Sequence, residues 1–202
     1  MNTPRKMKRY GMDDIPSLRD AGPSGKYSTG LVDHDYAAAL GDLTAYWSHI
    51  EEAMIFFFEL LLGHNPSVAS PARQIYRSIT APNARTKVLR AVLEKSEINR
   101  TKTAEYDEII SEFDSLNSKR NTYVHGLWET HESGKAFLSA PGSDDFYFYK
   151  RREVPIQELQ NVVIRIRNLA RRINRLRWPE VADATFEPLL DVPDASPEEG
   201  QS

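Results

Sequence analysis

The chain has 202 residues, enough for one domain, and 40% of them are hydrophobic, enough to form a substantial core. It contains no cysteine, which excludes disulfides, thiolate metal sites and cysteine nucleophiles. The net charge of −3 gives by itself no sign of a nucleic-acid partner, but the charged residues are unevenly distributed along the chain. Seven acidic residues and no basic one follow Arg177, so the rest of the chain carries a net positive charge.

The first 32 residues predict a flexible lead segment. They mix Gly, Pro, Ser and charged residues without a hydrophobic period, and "MNTPRKMKRYGMDD" lacks the apolar stretch of a secretory signal. The longest apolar run in the chain, "AMIFFFELLLG", is too short to span a bilayer. We therefore expect a cytoplasmic protein that does not contact a membrane.

The first predicted helix begins at Asp33 or Asp35, because either side chain can cap a helix N-terminus. Apolar residues then recur at alternating steps of four and three, which is typical of a helix in a bundle: Tyr36, Leu40, Leu43, Trp47, Ile50, Met54, Phe57 and Leu61. The last turns are apolar nearly all round, which predicts burial on more than one side, in the bundle or in a dimer. Gly63 and Pro66 end the helix.

Two further helical segments follow. The second has Ser70 as its N-cap and Pro71 at its first helical position, and Pro82 is expected to break or kink it. The third extends from about residue 103 to about residue 128. Its apolar residues form one stripe: Tyr106, Ile109, Phe113, Leu116, Tyr123 and Leu127.

The pattern then changes to alternation. "KAFLS" and "FYFYKRR", separated by "APGSDD", predict a β-hairpin over about residues 135–152. A fourth helix begins after Val154 and ends at "WP", and a run of arginines lies opposite its apolar face: Arg167, Arg171, Arg172 and Arg175.

Residues 33–178 are therefore predicted to form an all-α, up-and-down four-helix bundle with a small β-hairpin between helices 3 and 4. Residues 179–202 hold four prolines and the acidic run, and are predicted to be a tail. The tail is either inert or covers the basic body of the same chain.

One position breaks the stripe of the third helix. The steps 106, 109, 113, 116 lead to 120 and 123, and position 120 is Arg120. Because an unpaired buried charge is costly, Arg120 must be paired inside the bundle or face a surface that takes a cation. The neighbouring ridge of the same helix carries polar residues at steps of four: Asn117, Asn121 and His125. An arginine, an amide and an imidazole could therefore converge. Arginine binds phosphate through a planar fork, and histidine exchanges protons near neutral pH.

At these residues the chain resembles the HEPN superfamily. "RNTYVH" matches the R-x4-H signature of that family, with the polar Asn121 directly after the arginine, late in the third helix. The tryptophan and acids of "WSHIEEA", the basic "NARTKVLRAVLEK" and the "HGLW" that ends the motif are also similar to bacterial members. The resemblance covers about residues 35–177.

The resemblance implies a metal-independent endoribonuclease of a bacterial toxin–antitoxin, phage-defence or stress system. Such proteins act as homodimers with two motifs facing across a two-fold axis. His125 would be the general acid or base, Arg120 would hold the phosphate, and Asn121 would orient the site. The expected partners are RNA and a cognate antitoxin protein, with no metal and no cofactor.

Other interpretations of the motif and of the surrounding basic and aromatic residues remain open. The chain could be a non-catalytic HEPN interaction module that binds a protein, a nucleotide or RNA, or the motif could be a structural hydrogen-bond network. Five basic residues are candidates for RNA binding, although solvated surface is the simpler explanation for them: Arg85, Lys87, Arg167, Arg171 and Arg175. The "FYFY" residues could stack bases or pack within the hairpin.

Overall fold

A computed structural model describes residues 25–30, 33–63, 70–96, 100–139 and 151–177 of the chain. Within these ranges it has five helices: α1 (His34–Leu61), α2 (Pro71–Ser78), α3 (Pro82–Lys95), α4 (Arg100–His125) and α5 (Ile156–Arg177). It also has four strands: β1 (Tyr27–Thr29), β2 (Leu127–His131), β3 (Ala136–Ser139) and β4 (Arg151–Glu153). About 75% of the described residues are helical.

The predicted four-helix bundle with a hairpin is therefore wrong in two respects. The predicted break at Pro82 is confirmed, but it separates two helices, α2 and α3, so that the described residues form five helices instead of four. The strands form one antiparallel sheet in the order β1-β2-β3-β4 instead of an isolated hairpin. The predicted pairing of "KAFLS" with the chain before Val154 is present as β3 and β4, with Phe137 opposite Glu153. The "FYFY" residues lie outside the described residues, as do residues 1–24 and the predicted tail.

Two strands account for the difference. The helical stripe of the third predicted helix includes Leu127, but α4 ends at His125 and residues 127–131 pair with β3. Gly126 lies between α4 and β2, at a point where the chain packs too closely for a side chain. A Cβ atom there would lie 2.4 Å from Leu138 Cδ1 and 2.6 Å from the Thr122 carbonyl oxygen. The strand β1 pairs Tyr27 with His131 at the edge of the sheet.

Local signals set the helix boundaries as expected. The Asp33 carboxylate accepts a hydrogen bond from the Asp35 amide at 2.9 Å and caps α1. The Ser70 hydroxyl accepts from the Arg73 amide at the start of α2. Gly63, with a φ of 69°, follows the last turn of α1, where a left-handed conformation favours glycine.

The core lies between α1, α4 and α5. Residues 53–59 of α1 are buried without interruption, which confirms that this end of the helix packs on more than one side. Trp47 of α1 stacks on Phe113 of α4, with ring centroids 5.4 Å apart. The sheet closes one end of the core, where Trp128 and Leu138 join the cluster.

The directions of the helices follow from their contacts. Tyr36, near the start of α1, donates a hydrogen bond to the carbonyl of Val154 just before α5, and Tyr46 lies under Arg167 farther along α5. The helices α1 and α5 are therefore parallel, as the first and fifth of five alternating helices are. The predicted bundle of four alternating helices would have made its first and last helices antiparallel. Arg165 of α5 pairs with Glu112 of α4, and Tyr123 with Glu158, so α4 runs antiparallel to α5.

Candidate functional site

The candidate site lies on the last two turns of α4, at the end of the bundle that the sheet closes. Leu116 and Tyr123 are 0% and 2% exposed, so the stripe that contains position 120 does face the core. Arg120 stands between them and is half-buried. Position 120 thus belongs to the buried stripe of α4 that the spacing predicted.

Arg120 is held by one amide and one aromatic ring. Its Nη1 atom donates a hydrogen bond to Asn121 Oδ1 at 3.0 Å. Its guanidinium carbon lies 5.9 Å from the centre of the Trp47 ring, within the range of a cation–π contact. Its Nε atom is buried and has no hydrogen-bond partner within the described part of the chain.

Among the described residues, no carboxylate pairs with Arg120. Most other arginines of the bundle and sheet do have such a partner: Arg73, Arg77, Arg85, Arg90, Arg151, Arg152, Arg165 and Arg172. The charge of Arg120 is thus partly removed from water without a countercharge. An anion that reached the guanidinium would supply both the countercharge and the missing acceptors.

His125 is exposed and is the last residue of α4. Within the described ranges its imidazole makes no hydrogen bond and no ion pair. It lies five residues beyond Arg120, which on a helix is about 7.5 Å along the axis and about 140° around it. The structure therefore joins Arg120 to Asn121 and leaves the His125 ring free to contact a ligand or another chain.

Asn117 is the remaining polar residue on this part of α4, and it is 7% exposed. Among the described residues its side-chain amide has no hydrogen-bond partner. One turn later Asn121 uses its Oδ1 atom for Arg120, so its amide nitrogen stays available as a donor.

The end of α4 is fixed by contacts to α5 and to the sheet. Tyr123 donates a hydrogen bond to Glu158 Oε1, and Arg152 of β4 binds the other oxygen of that carboxylate. The Trp128 indole donates to the Tyr123 carbonyl at 2.8 Å. These contacts hold the backbone of residues 120–128 against two elements, so the positions of Arg120 and His125 do not depend on an isolated helix end.

The same contacts shift two pKa values. Burial, helped by the hydrogen bond to Glu158, raises the pKa of Tyr123 to about 12. Burial acts to raise the pKa of Glu158, but the hydrogen bonds from Arg152 and Tyr123 outweigh it and lower that pKa from its ordinary value. Around neutral pH the tyrosine is therefore neutral and the glutamate is ionised.

Of the five residues predicted to bind RNA, Arg85 and Arg167 make contacts inside the fold. Arg85 binds the Ile79 carbonyl at 2.7 Å and Glu51 at 3.3 Å. Arg167 lies over Tyr46 at 5.0 Å, and Arg171 and Arg175 are half-buried. Lys87 is exposed on α3. The arginine face of α5 is thus partly used inside the fold, as the bond between Arg172 and Glu108 also shows.

Trp47 is the site residue that reasoning from sequence did not assign. It belongs to the apolar spacing of the first helix, and nothing in that spacing indicates contact with a residue 73 positions later. The pairing of a single arginine with this ring depends on how α1 and α4 cross.

Among the described residues, no group of three or more His, Asp or Glu side chains is placed to hold a metal ion. Nor, in that part of the chain, is any helix long and apolar enough to cross a membrane. Comparison of the chain with models of known families, with curated proteins and with solved structures finds no significant match. The resemblance to the HEPN superfamily therefore depends on the motif residues and on their place in α4.

Proposed function

We propose that the protein is a metal-independent endoribonuclease of the HEPN type that acts in a bacterial toxin–antitoxin, phage-defence or stress system. One observation carries the proposal. Arg120 is a half-buried cation that has no carboxylate partner among the described residues. It is hydrogen-bonded to Asn121 and lies five residues before the exposed imidazole of His125. Such a set suits a phosphodiester, because it offers a fixed positive charge, an amide and a group that exchanges protons.

In the proposed reaction the Arg120 guanidinium binds the non-bridging oxygens of the scissile phosphate and neutralises the charge that develops on them. The ribose 2′-oxygen forms a bond to phosphorus as its proton leaves, and the bond from phosphorus to the 5′-oxygen breaks. His125 transfers one of the two protons involved, the one lost by the 2′-hydroxyl or the one gained by the leaving 5′-oxygen. The products are a 2′,3′-cyclic phosphate and a 5′-hydroxyl.

Asn121 acts on the guanidinium in this scheme. By accepting from Nη1 at 3.0 Å it fixes the plane of the fork, and it leaves Nη2 to the phosphate. The helix C-terminus carries a partial negative charge that repels an anion, so the full charge of Arg120 is needed to bind a phosphate there.

A homodimer completes the proposed site. Within one chain the His125 ring makes no contact with Arg120 or Asn121 among the described residues, so a second motif across a two-fold axis would bring the missing groups to one cleft. RNA is the substrate, a cognate antitoxin protein is the expected partner, and the cytoplasm is the expected location. No cofactor enters the scheme.

The test is cleavage of a mixed RNA pool by the purified chain in EDTA. Arg120→Ala and His125→Ala should each lose about 100-fold or more in rate, because each removes a group that acts on the transition state. Lys119→Ala, the neighbouring cation on α4, and His49→Ala, an exposed histidine on α1, are the matched controls and should retain activity. Sedimentation at the assay concentration should show a dimer, and an active monomer would contradict the composite site.

A non-catalytic HEPN interaction module is the second candidate. It is favoured by the separation of His125 from Arg120 within one chain and by the internal contacts of Arg85 and Arg167. It predicts no cleavage of any RNA by folded, dimeric protein, and binding that is lost in Arg120→Ala but kept in His125→Ala.

A further inference from the structure

An apolar groove lies at the end of the bundle opposite the sheet. It has a volume of about 730 Å³ and is lined by the end of α1 with the two residues that follow it, Leu60 to Gly63, and by one side of α3, including Val88, Ala91 and Val92. Leu62 is 40% exposed there, a large fraction for a leucine. Lys95 lies at its edge, where its exposed ammonium group pairs with the exposed carboxylate of Glu94 at 3.2 Å. Covering this apolar surface with other apolar groups would be favourable in free energy, and a cation lies at the edge of the groove.

The last helix of the bundle ends on the same side of the molecule. Because α1 and α5 are parallel, with Tyr46 level with Arg167, the final turn of α5 lies level with the final turns of α1. The helix α3 is antiparallel to α4, since Arg90 pairs with Asp107 while Thr86 bonds Asp114. The C-terminal half of α3 therefore lies at this end as well.

The chain continues past α5 with a segment whose composition matches the groove. Phe186, Leu189, Leu190 and Val192 lie within seven residues, and Glu187 and Asp191 are interspersed among them. Phe186 lies nine positions after Arg177, and nine steps of extended chain reach about 30 Å, enough to cross the width of two helices. The apolar residues match the lining, and the acids match Lys95 at the rim.

We propose that residues 186–192 bind in the apolar groove of their own chain. This arrangement fixes the acidic tail at the end of the bundle away from Arg120, about 20 Å along α4 from it. The tail then serves as a cover for Leu62 and Val92, and its acids do not compete with a phosphate for Arg120. The inference is independent of the proposed nuclease activity.

The absence of cysteine allows a direct test by disulfide cross-linking in the full chain. Ala91→Cys places a thiol at an exposed position of the groove, and Asp191→Cys places one in the tail. Asn83→Cys is the matched control, exposed on the same helix about 12 Å before Ala91. With dilute protein, the pair 91–191 should form an intramolecular disulfide about tenfold faster or more than the pair 83–191, because docking raises the effective concentration.

Equal rates for the two pairs would overturn the proposal, and so would disulfides formed between chains instead of within one. A second measurement leaves the bundle unaltered. Leu189→Ser combined with Leu190→Ser should shift the methyl NMR signals of Leu62, Val88 and Val92 and leave that of Leu127, at the sheet end, unchanged. Groove signals that do not move would show that something other than the tail covers the groove.

Discussion

Arg120 and Arg151 are both partly withdrawn from water, but they differ in what they face. Arg151 binds the 6%-exposed carboxylate of Glu129 through two nitrogens, at 2.6 and 3.1 Å, and lies 4.5 Å from the centre of the Tyr27 ring. Arg120 has one amide partner and an unpaired buried Nε. Arg151 therefore stabilises the fold, whereas the burial of Arg120 has a desolvation cost that a bound anion could offset.

This contrast predicts opposite effects of the same substitution. Arg120→Met should raise the free energy of unfolding by about 1 kcal/mol, because it removes a buried donor without a partner. Arg151→Met should lower it by about 3 kcal/mol, because it leaves the Glu129 carboxylate buried and unpaired. Urea denaturation of the two variants beside the wild type measures both. A loss of stability in Arg120→Met similar to that in Arg151→Met would mean that Arg120 has a structural role.

Two buried tyrosines give a second pair of predictions. The Tyr76 hydroxyl is buried and finds no hydrogen-bond partner among the described residues, whereas the Tyr123 hydroxyl donates to Glu158. At pH 7, Tyr76→Phe should raise the free energy of unfolding by about 1 kcal/mol and Tyr123→Phe should lower it by a similar amount. Thermal unfolding at pH 7 is the measurement, and a loss of stability in Tyr76→Phe would contradict it.

The same tyrosines predict how stability changes in alkali. Burial is the main cause that raises both pKa values to about 12, against about 10 for an unfolded chain. A raised folded-state pKa contributes stability that is complete below pH 10 and is lost as the pH rises toward 12. Each Phe variant should therefore lose less stability than the wild type between pH 10 and pH 12. An unchanged slope of unfolding free energy against pH would contradict the assignment.

At the scale of elements, the junction between α4 and β2 is the most constrained part of the site. Gly126 has no space for a side chain, since a Cβ atom would come within 3 Å of Leu138 and of the Thr122 carbonyl. Gly41 of α1, by contrast, has no atom within 4 Å of the Cβ position. The first glycine is needed for close packing and the second is not.

Alanine substitution should separate these two glycines. Gly126→Ala should lower the free energy of unfolding by about 2 kcal/mol, because α4 and β3 must move apart. Gly41→Ala should raise it by about 0.5–1 kcal/mol, the usual gain in the interior of a helix. Calorimetric unfolding of both variants tests the pair, and a neutral Gly126→Ala would show that the junction can relax.

The helices were predictable from the sequence because their signals are local. The cap at Asp33, the proline at position 82 and the spacing from Tyr36 to Leu61 each act within a few residues. The sheet was not, because β1 has three residues and pairs Tyr27 with His131, 104 positions away. Leu127 misled the prediction further, since it continues the helical stripe of α4 although it lies in a strand.

The site likewise combines features that local sequence signals predict with features that depend on the packing of the helices. Arg120 stood out because its position in the stripe calls for an apolar residue, and Asn121 follows it directly. That Trp47 lies under the guanidinium, and that no carboxylate of the described residues reaches it, depends on the packing of α1 against α4. The burial of Arg167 and Arg175 depends likewise on how close α5 lies to α1.

At the scale of the whole molecule, the sheet end and the groove end of the bundle have different chemistry. The sheet end holds Arg120 and the exposed imidazole of His125, neither of which pairs with a carboxylate of the described ranges, and it is the end proposed to bind RNA across a dimer. The groove end presents the apolar residues Leu62 and Val92 and is proposed to bind the tail. The α4 helix connects the two, so both can be tested in one folded chain.

The most direct measurement uses one defined RNA substrate that is cleaved at a known position. The nucleotide on the 5′ side of that bond is replaced by its 2′-deoxy form, EDTA is present, and the ends of the products are analysed. We expect a 2′,3′-cyclic phosphate and a 5′-hydroxyl from the normal RNA, and no cleavage at that bond in the 2′-deoxy RNA or by Arg120→Ala. Cleavage that survives the 2′-deoxy replacement, leaves 5′-phosphate ends or persists in Arg120→Ala would contradict it.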